Sequence, residues 1–310
     1  MARWSIDPLM PLWIALTLAA AFLQNTRSTL QKRLTGEMTA LGATYVRFAY
    51  GLPVAAVYFA GLVILKDGAI PTPHGLFWLY STVGGIAQII GTVLLVALFA
   101  YRNFAVGTTY SKTETVQTAL FGAIVLGDHL TLGAIAAILV SFAGVVAISM
   151  AKSHLTLANF VRSFSERPTL MGLGSGAAFG VAAVAYRAAS LSLDDRDYMM
   201  SAGFTLVAVL AIQTLLMTIW LAWRSPDDLR ASLRTWQASS MVGLVGSLAS
   251  MGWFTAMTIQ NAAYVRALGQ IELVFTFLSS HFIFGEKTNR LELIGIGLVI
   301  GGIVMLLFLR

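Results

Sequence analysis

The chain is dominated by apolar runs long enough to cross a bilayer. A helix spanning the hydrocarbon core needs about 20 largely apolar residues. Ten such runs can be drawn: Leu9–Leu30, Thr44–Leu65, Leu76–Ala100, Phe104–Leu126, Leu130–Ala151, Leu170–Ala189, Tyr198–Trp223, Trp236–Ile259, Ala262–Phe284 and Leu291–Leu309. Only 11% of the 310 residues are charged, against about 25% in a soluble domain. Polar groups to cover a water-facing surface of this size are missing, so the solvent outside the runs is lipid. Lipid offers no partner for backbone N–H and C=O groups, which requires helices; a barrel would instead show alternating strands of about ten residues. The expected class is an all-α, multi-pass membrane protein. Trp78, Trp220, Trp223 and Trp236 fall at span ends, where an indole prefers to sit. The run Leu9–Leu23 has no small-residue cleavage site and reads as the first span rather than a removable signal peptide. Gln24-Asn25-Thr26-Arg27 makes the second half of that span polar.

Several function classes fall away. There is no cysteine, so neither disulfides nor thiolate metal sites are available. His74, His129, His154 and His281 are scattered, and no cofactor or metal is expected. The net charge of +6 does not imply nucleic acid, because the basic residues lie mostly in short gaps between spans, where they set orientation. An intramembrane protease would want paired aspartates inside spans, yet the aspartates, among them Asp67, Asp128 and Asp194, fall outside them. His281 lies beside Ser279 and Ser280, but adjacent residues of one helix point apart.

Glycines mark close helix contacts. Gly172, Gly176 and Gly180 recur every four residues in span six, and Gly297 and Gly301 do so in span ten; both stripes read as packing faces. Two amphipathic stretches lie outside the spans. In the linker 152–168, Leu157, Phe160, Val161 and Phe164 oppose Lys152, Arg162 and Arg167, which predicts a helix on the membrane surface. Ser225-Pro226-Asp227-Asp228 reads as a cap, a first-turn proline and first-turn acids.

An internal repeat runs at a constant offset of 158 residues: Trp78 with Trp236, Gly85 with Gly243, Asn103 with Asn261, Glu114 with Glu272, Gly127-Asp128 with Gly285-Glu286, and Gly144 with Gly302. It divides the chain into a five-helix unit at 1–151, a linker at 152–168 and a second five-helix unit at 169–310. Five spans per unit is an odd number, so the second unit enters the membrane from the opposite side. Such inverted repeats are a hallmark of secondary transporters, with sites near the midplane between the halves.

The residues Glu114…Leu126-Gly127-Asp128…Gly144, repeated as Glu272…Phe284-Gly285-Glu286…Gly302, resemble the EamA-type, ten-helix branch of the drug/metabolite transporter superfamily. The resemblance covers nearly the whole chain as two copies. It implies movement of small metabolites by alternating access without ATP hydrolysis. The family often carries proline after the buried acid, where this chain has Thr115 and Leu273, and the first copy has Asp128 in place of Glu.

Ionisable residues inside spans are costly and mark function by default. Here they are Arg27, Arg47, Lys112, Glu114, Arg187, Arg266 and Glu272. Five bases against two acids point to an anionic or carboxylate-bearing metabolite, for instance an amino-acid-like compound, with protons or exchange as coupling modes. Arg27 and Arg187 have an alternative reading as side chains that snorkel from span ends. The candidate pathway or coupling set is Tyr110, Lys112, Glu114, Gln117, Arg47, Arg266, Gln270 and Glu272. Lys112 and Glu114, two residues apart on a helix, are expected to point roughly 200° apart and so not to share a cavity. A buried pair of Glu114 with Arg47 is the structural alternative. A channel or facilitative pore is the competing function, with an intramembrane enzyme behind it. Partners are the substrate and the bilayer, with a monomer or weak homodimer expected in a bacterial inner membrane. Two readings of orientation stand side by side. Lys and Arg concentrate in the loops after odd-numbered spans, such as Lys32, Arg102, Arg230 and Lys287, which puts the termini outside the cytoplasm; the family resemblance implies cytoplasmic termini.

Overall fold

The computed structural model describes residues 10–34, 36–66, 70–98, 109–153, 166–193, 197–282 and 289–309. Among them there are thirteen helices and no strand. These are α1 Met10–Leu34, α2 Ala40–Ala49, α3 Gly51–Leu65, α4 Gly75–Ala97, α5 Glu114–Leu126, α6 Leu132–Ser153, α7 Arg167–Leu191, α8 Tyr198–Arg224, α9 Pro226–Arg234, α10 Trp236–Ile259, α11 Ala262–Gly269, α12 Ile271–Phe282 and α13 Arg290–Leu309. Seven segments are long and apolar enough to cross a membrane: Ala40–Leu65, Gly75–Ala97, Leu132–Ala151, Arg167–Leu191, Tyr198–Arg224, Trp236–Ile259 and Arg290–Leu309. The outer surface is apolar as lipid requires, with Leu65 and Leu132 84% and 85% exposed.

The three remaining expected spans differ for identifiable reasons. The first is the continuous helix α1, whose second half is polar. The other two are interrupted. Residues 104–108 lie outside the description; a helical turn at 109–111 is followed by a bend at Lys112-Thr113, and α5 starts at Glu114. The ninth breaks at Gln270, between α11 and α12. A milder interruption divides α2 from α3 at Tyr50, where Pro53 has no N–H to give the Ala49 carbonyl. Most of the linker at 152–168 lies outside the described residues.

Helices of the first half pack on helices of the second: α1 on α10, α4 on α7, α3 on α8, and α6 on α13. With lipid outside, backbone proximity rather than hydrophobic drive holds such pairs. In the α6–α13 seam a Cβ on Gly144 would stand 2.6 Å from the Gly295 carbonyl oxygen, and one on Gly302 would meet Ser141. The seam therefore uses Gly295 and Gly302. Gly297 and Gly301 face open space instead, which corrects the packing role read from their spacing: the helix turns the other glycine pair inward. Gly176 and Gly180 do pack, against the start of α5 and Thr118.

Span Ala40–Leu65 is clamped to the second half at both ends, to α9 at one and to α8 at the other. At one end Thr39, the N-cap of α2, donates its N–H and Oγ1 to Asp228 at 2.8 and 2.6 Å. Asp228 was expected as a plain first-turn acid, and Ser225 as a side-chain cap. Instead Asp228 is buried against α2 and Ser225 makes no side-chain cap bond. At the other end Lys66 pairs with Asp197, the N-cap of α8. Burial would raise the Asp197 carboxyl, but the Lys66 ammonium and the N–H groups of Met199 and Met200 outweigh it and hold it below the usual carboxylate range.

Candidate functional site

The two acids of the internal repeat, Glu114 and Glu272, open a helix in mid-span. Glu114 is the first residue of α5 and Glu272 the second of α12. Each follows a chain break, at Lys112-Thr113 and at Gln270. The free N–H groups and positive end of a helix favour a carboxylate there. Neighbours make room for both breaks. A Cβ on Gly176 of α7 would lie 2.9 Å from the Ser111 carbonyl oxygen, and one on Gly269 would lie 2.6 Å from the Trp253 ring.

The two acids pair reciprocally across the halves. Arg266 Nε lies 3.0 Å from Glu114 Oε1, and Lys112 Nζ lies 3.5 Å from Glu272 Oε1. The first contact is an ion pair rather than an aligned hydrogen bond. The residues two before each acid, Lys112 and Gln270, both reach over: Gln270 Nε2 donates to Thr115 Oγ1 at 2.7 Å. Thr115, standing where the resembled family often has proline, thus serves as an acceptor. Gln24 of α1 donates to Glu272 Oε2 at 2.7 Å and accepts from Trp253 Nε1 at 3.1 Å. Arg266 lies over the Trp253 ring, 5.4 Å from its centroid. In place of the alternative Glu114–Arg47 pair, Glu114 meets Arg266.

These groups line one cavity of about 280 Å³. Its wall takes Gln24, Arg27, Ser28 and Gln31 from α1, Thr44 and Arg47 from α2, and Gln88 and Thr92 from α4, together with Lys112, Glu114, Arg266, Gln270 and Glu272. The walls come from the last half of α1 and α4 and the first half of span Ala40–Leu65, so the cavity sits toward the bundle end where α1 ends. Lys112 and Glu114 both reach it, contrary to the helical angle expected for them, because Lys112 belongs to a turn and not to α5. Six of the eight candidates therefore converge. Tyr110 and Gln117 do not line the cavity; Gln117 Nε2 donates to Thr113 Oγ1 at 2.6 Å and to the Leu173 carbonyl at 3.4 Å. Sequence reasoning missed Gln24, Gln88 and Trp253, although the polar run Gln24–Arg27 was a signal for the first.

Below the cavity Tyr186 donates to the Gly84 carbonyl and Gln88 Oε1, each at 3.1 Å, while Gln213 Nε2 donates to Gln88 Oε1 at 2.8 Å. Beyond them the neighbouring Arg187 does not snorkel. It donates to the Met257 and Gln260 carbonyls, both at 2.6 Å, at the C-terminal end of α10, and lies 3.8 Å from Asp128. Among the described residues no cluster fit to hold a metal is present.

The chain matches the EamA-like transporter family twice, over residues 11–150 and 167–308. A curated relative from Sinorhizobium sp, named an uncharacterized transporter in the cobO 3' region, is 23% identical over 100 residues, 32% of this chain and 70% of that protein. A solved crystal structure shares the fold with a TM-score of 0.71 at 15% identity, over 96% of this chain and 97% of that one. The protein is a multi-pass membrane protein, and it belongs to the EamA-like transporter family.

Proposed function

We propose that the protein is a secondary transporter of ten spans in two inverted five-helix repeats. It moves a small anionic or carboxylate-bearing metabolite by alternating access, in a bacterial inner membrane. One observation carries this reading: a polar cavity between the halves, lined by four cationic and two acidic side chains. Its acids sit at the N-termini of half-helices, as the substrate and ion sites of secondary transporters do. The pairing of every long helix of the first half with one of the second supports two equivalent halves, and the shared breaks before Glu114 and Glu272 support their equivalence. Counting α1 and the two interrupted segments with the seven apolar spans gives ten.

Glu114 and Glu272 are the coupling acids on this reading. Each carries a cationic partner from the opposite half, so a movement of the halves alters the surroundings of both carboxylates. Counterflow in proteoliposomes tests the function. A carrier preloaded with unlabelled substrate draws in labelled substrate above the equilibrium level and saturates; a channel shows neither behaviour, and that result would overturn the reading.

A further inference from the structure

The charges that line the cavity do not balance. Lys112 is held by Glu272, and Arg266 by Glu114. Arg27 and Arg47 remain. Among the described residues neither has a carboxylate within ion-pair distance. Their Nε atoms are buried without a hydrogen-bond partner. Arg27 donates to the neighbouring Ser28 hydroxyl at 3.2 Å, and Arg47 lies over the Phe48 ring. Glu272 is within electrostatic reach of Arg27, but Gln24 and Lys112 already engage both of its oxygens.

The two arginines stand side by side. A Cβ placed on Gly246 of α10 would lie 3.1 Å from Arg27 Cδ and 3.4 Å from Arg47 Cγ. Both stems therefore lie against the same bare stretch of helix, and the missing side chain is the space they occupy. Two guanidinium groups set together in a desolvated wall repel one another, an arrangement that an anion shared between them reverses. The planar fork of arginine matches carboxylate and phosphate oxygens two at a time. A cavity of about 280 Å³ falls just below the range for ligand pockets, roughly 300–1,000 Å³, which suits a small substrate.

We propose that Arg27 and Arg47, seated on Gly246, form the substrate's oxyanion clamp, and that the substrate carries two negative charges there. Its chemistry is that of a short dicarboxylate or of a phosphate monoester. This rests on the transporter reading above and sharpens its substrate class. A zwitterion fits less well, since its ammonium would have to displace Arg266 or Lys112 from an acid already paired. A monoanion would leave one guanidinium unmatched.

Thermal unfolding of the purified full-length protein, at constant ionic strength, tests the clamp. The probes are succinate, glycerol phosphate and, as the monoanion, propionate. Succinate or glycerol phosphate raises the unfolding temperature in the millimolar range, because a ligand that binds only the native state stabilises it by mass action; which of the two does so separates paired carboxylates from a single divalent head. Propionate has no effect. Acidification that leaves succinate singly charged removes its effect. Arg27→Gln and Arg47→Gln each weaken the response at least tenfold. Gly246→Ala, which leaves every charge in place but crowds both stems, weakens it as well and keeps the test valid if an arginine variant fails to fold. Equal stabilisation by propionate, stabilisation by neither dianion, or undiminished response in Arg47→Gln and Gly246→Ala overturns the clamp. Saturable counterflow of a monovalent carboxylate would overturn the clamp alone; loss of counterflow for every anion would overturn the wider reading too.

Discussion

The pairing of Glu114 with Arg266 can be measured as a coupling energy. At 3.0 Å and an effective dielectric near 20, the bare attraction is about 5 kcal/mol. Desolvation of both groups offsets most of it, so replacing the pair as a unit changes stability little. Removing one partner is different, because the other is left as an unmatched charge, which costs about 3–5 kcal/mol for a fully buried pair. These side chains are 17% and 20% exposed, beside a polar cavity, which sets the expectation at the low end, about 3 kcal/mol. Arg266 keeps its contact with Trp253 when Glu114 is neutralised. Glu114→Gln and Arg266→Gln are therefore each expected to destabilise the protein by about 3 kcal/mol, and the double variant by clearly less than either single change. Reversible unfolding in detergent supplies the four free energies. Independent sites add to within about 0.5 kcal/mol. Additivity of Glu114→Gln with Arg266→Gln would refute the pairing, and strong coupling of Glu114→Gln with Arg47→Gln in its place would restore the partner suggested by sequence.

Three further outcomes are expected. Gly144→Ala destabilises by about 1–3 kcal/mol or more, since its Cβ would press on the Gly295 backbone, whereas Gly297→Ala, with open space around it, is neutral or gains about 0.5–1 kcal/mol; thermal unfolding of both variants separates the two glycine pairs. The Asp197 carboxyl is held below its ordinary value of 3.8 by Lys66 and two backbone N–H groups. Its contribution is present above that value and lost as pH falls through the lower folded-state pKa. The stability difference between wild type and Asp197→Asn, below about 1 kcal/mol for so exposed a pair, is thus expected near neutral pH and absent in strong acid. Glu272→Gln is expected to lose pH-driven accumulation in proteoliposomes while keeping exchange between bound substrates; full pH-driven accumulation in both Glu272→Gln and Glu114→Gln would make the acids purely structural.

Hydropathy made the membrane class legible, because a run of twenty apolar residues has few other uses. The same signal was blind to the breaks before Glu114 and Glu272, since a turn of two or three residues hardly changes the average over a window. That blindness explains the error over Lys112. A continuous helix would set Lys112 roughly 200° from Glu114, whereas the chain turns between them. The internal register located both acids but not their partners, because periodicity within one half says nothing about which side chain of the other half arrives opposite. Arg47 was a reasonable choice for Glu114 on charge alone; the fold gives that place to Arg266. The polar run Gln24–Arg27 looked like a weakness in the first span and is in fact a wall of the cavity. Gly297 and Gly301 satisfy the spacing of a packing motif, and only the rotation of α13 about its axis reveals that Gly295 and Gly302 are the pair in contact.

The distribution of contacts between the halves bears on how alternating access would proceed. The ion pairs of Glu114 and Glu272 join the halves at the level of the helix breaks, and the Thr39–Asp228 and Lys66–Asp197 clamps fasten span Ala40–Leu65 to α9 at one end and to α8 at the other. Parts tied at both ends are poorly placed to separate. Arg187 differs, because its bonds to the α10 carbonyls stay within the second half and only its approach to Asp128 crosses to the first, at the end away from the cavity. On the proposed cycle, opening toward that end parts Arg187 from Asp128 and leaves the α10 carbonyls holding the guanidinium. The carbonyls that end α10 present the negative pole of a helix, so the bond is strong. Asp128, by contrast, stands 3.8 Å from the guanidinium and does not line the cavity, so this contact adds no fixed acid to the site of an anionic substrate.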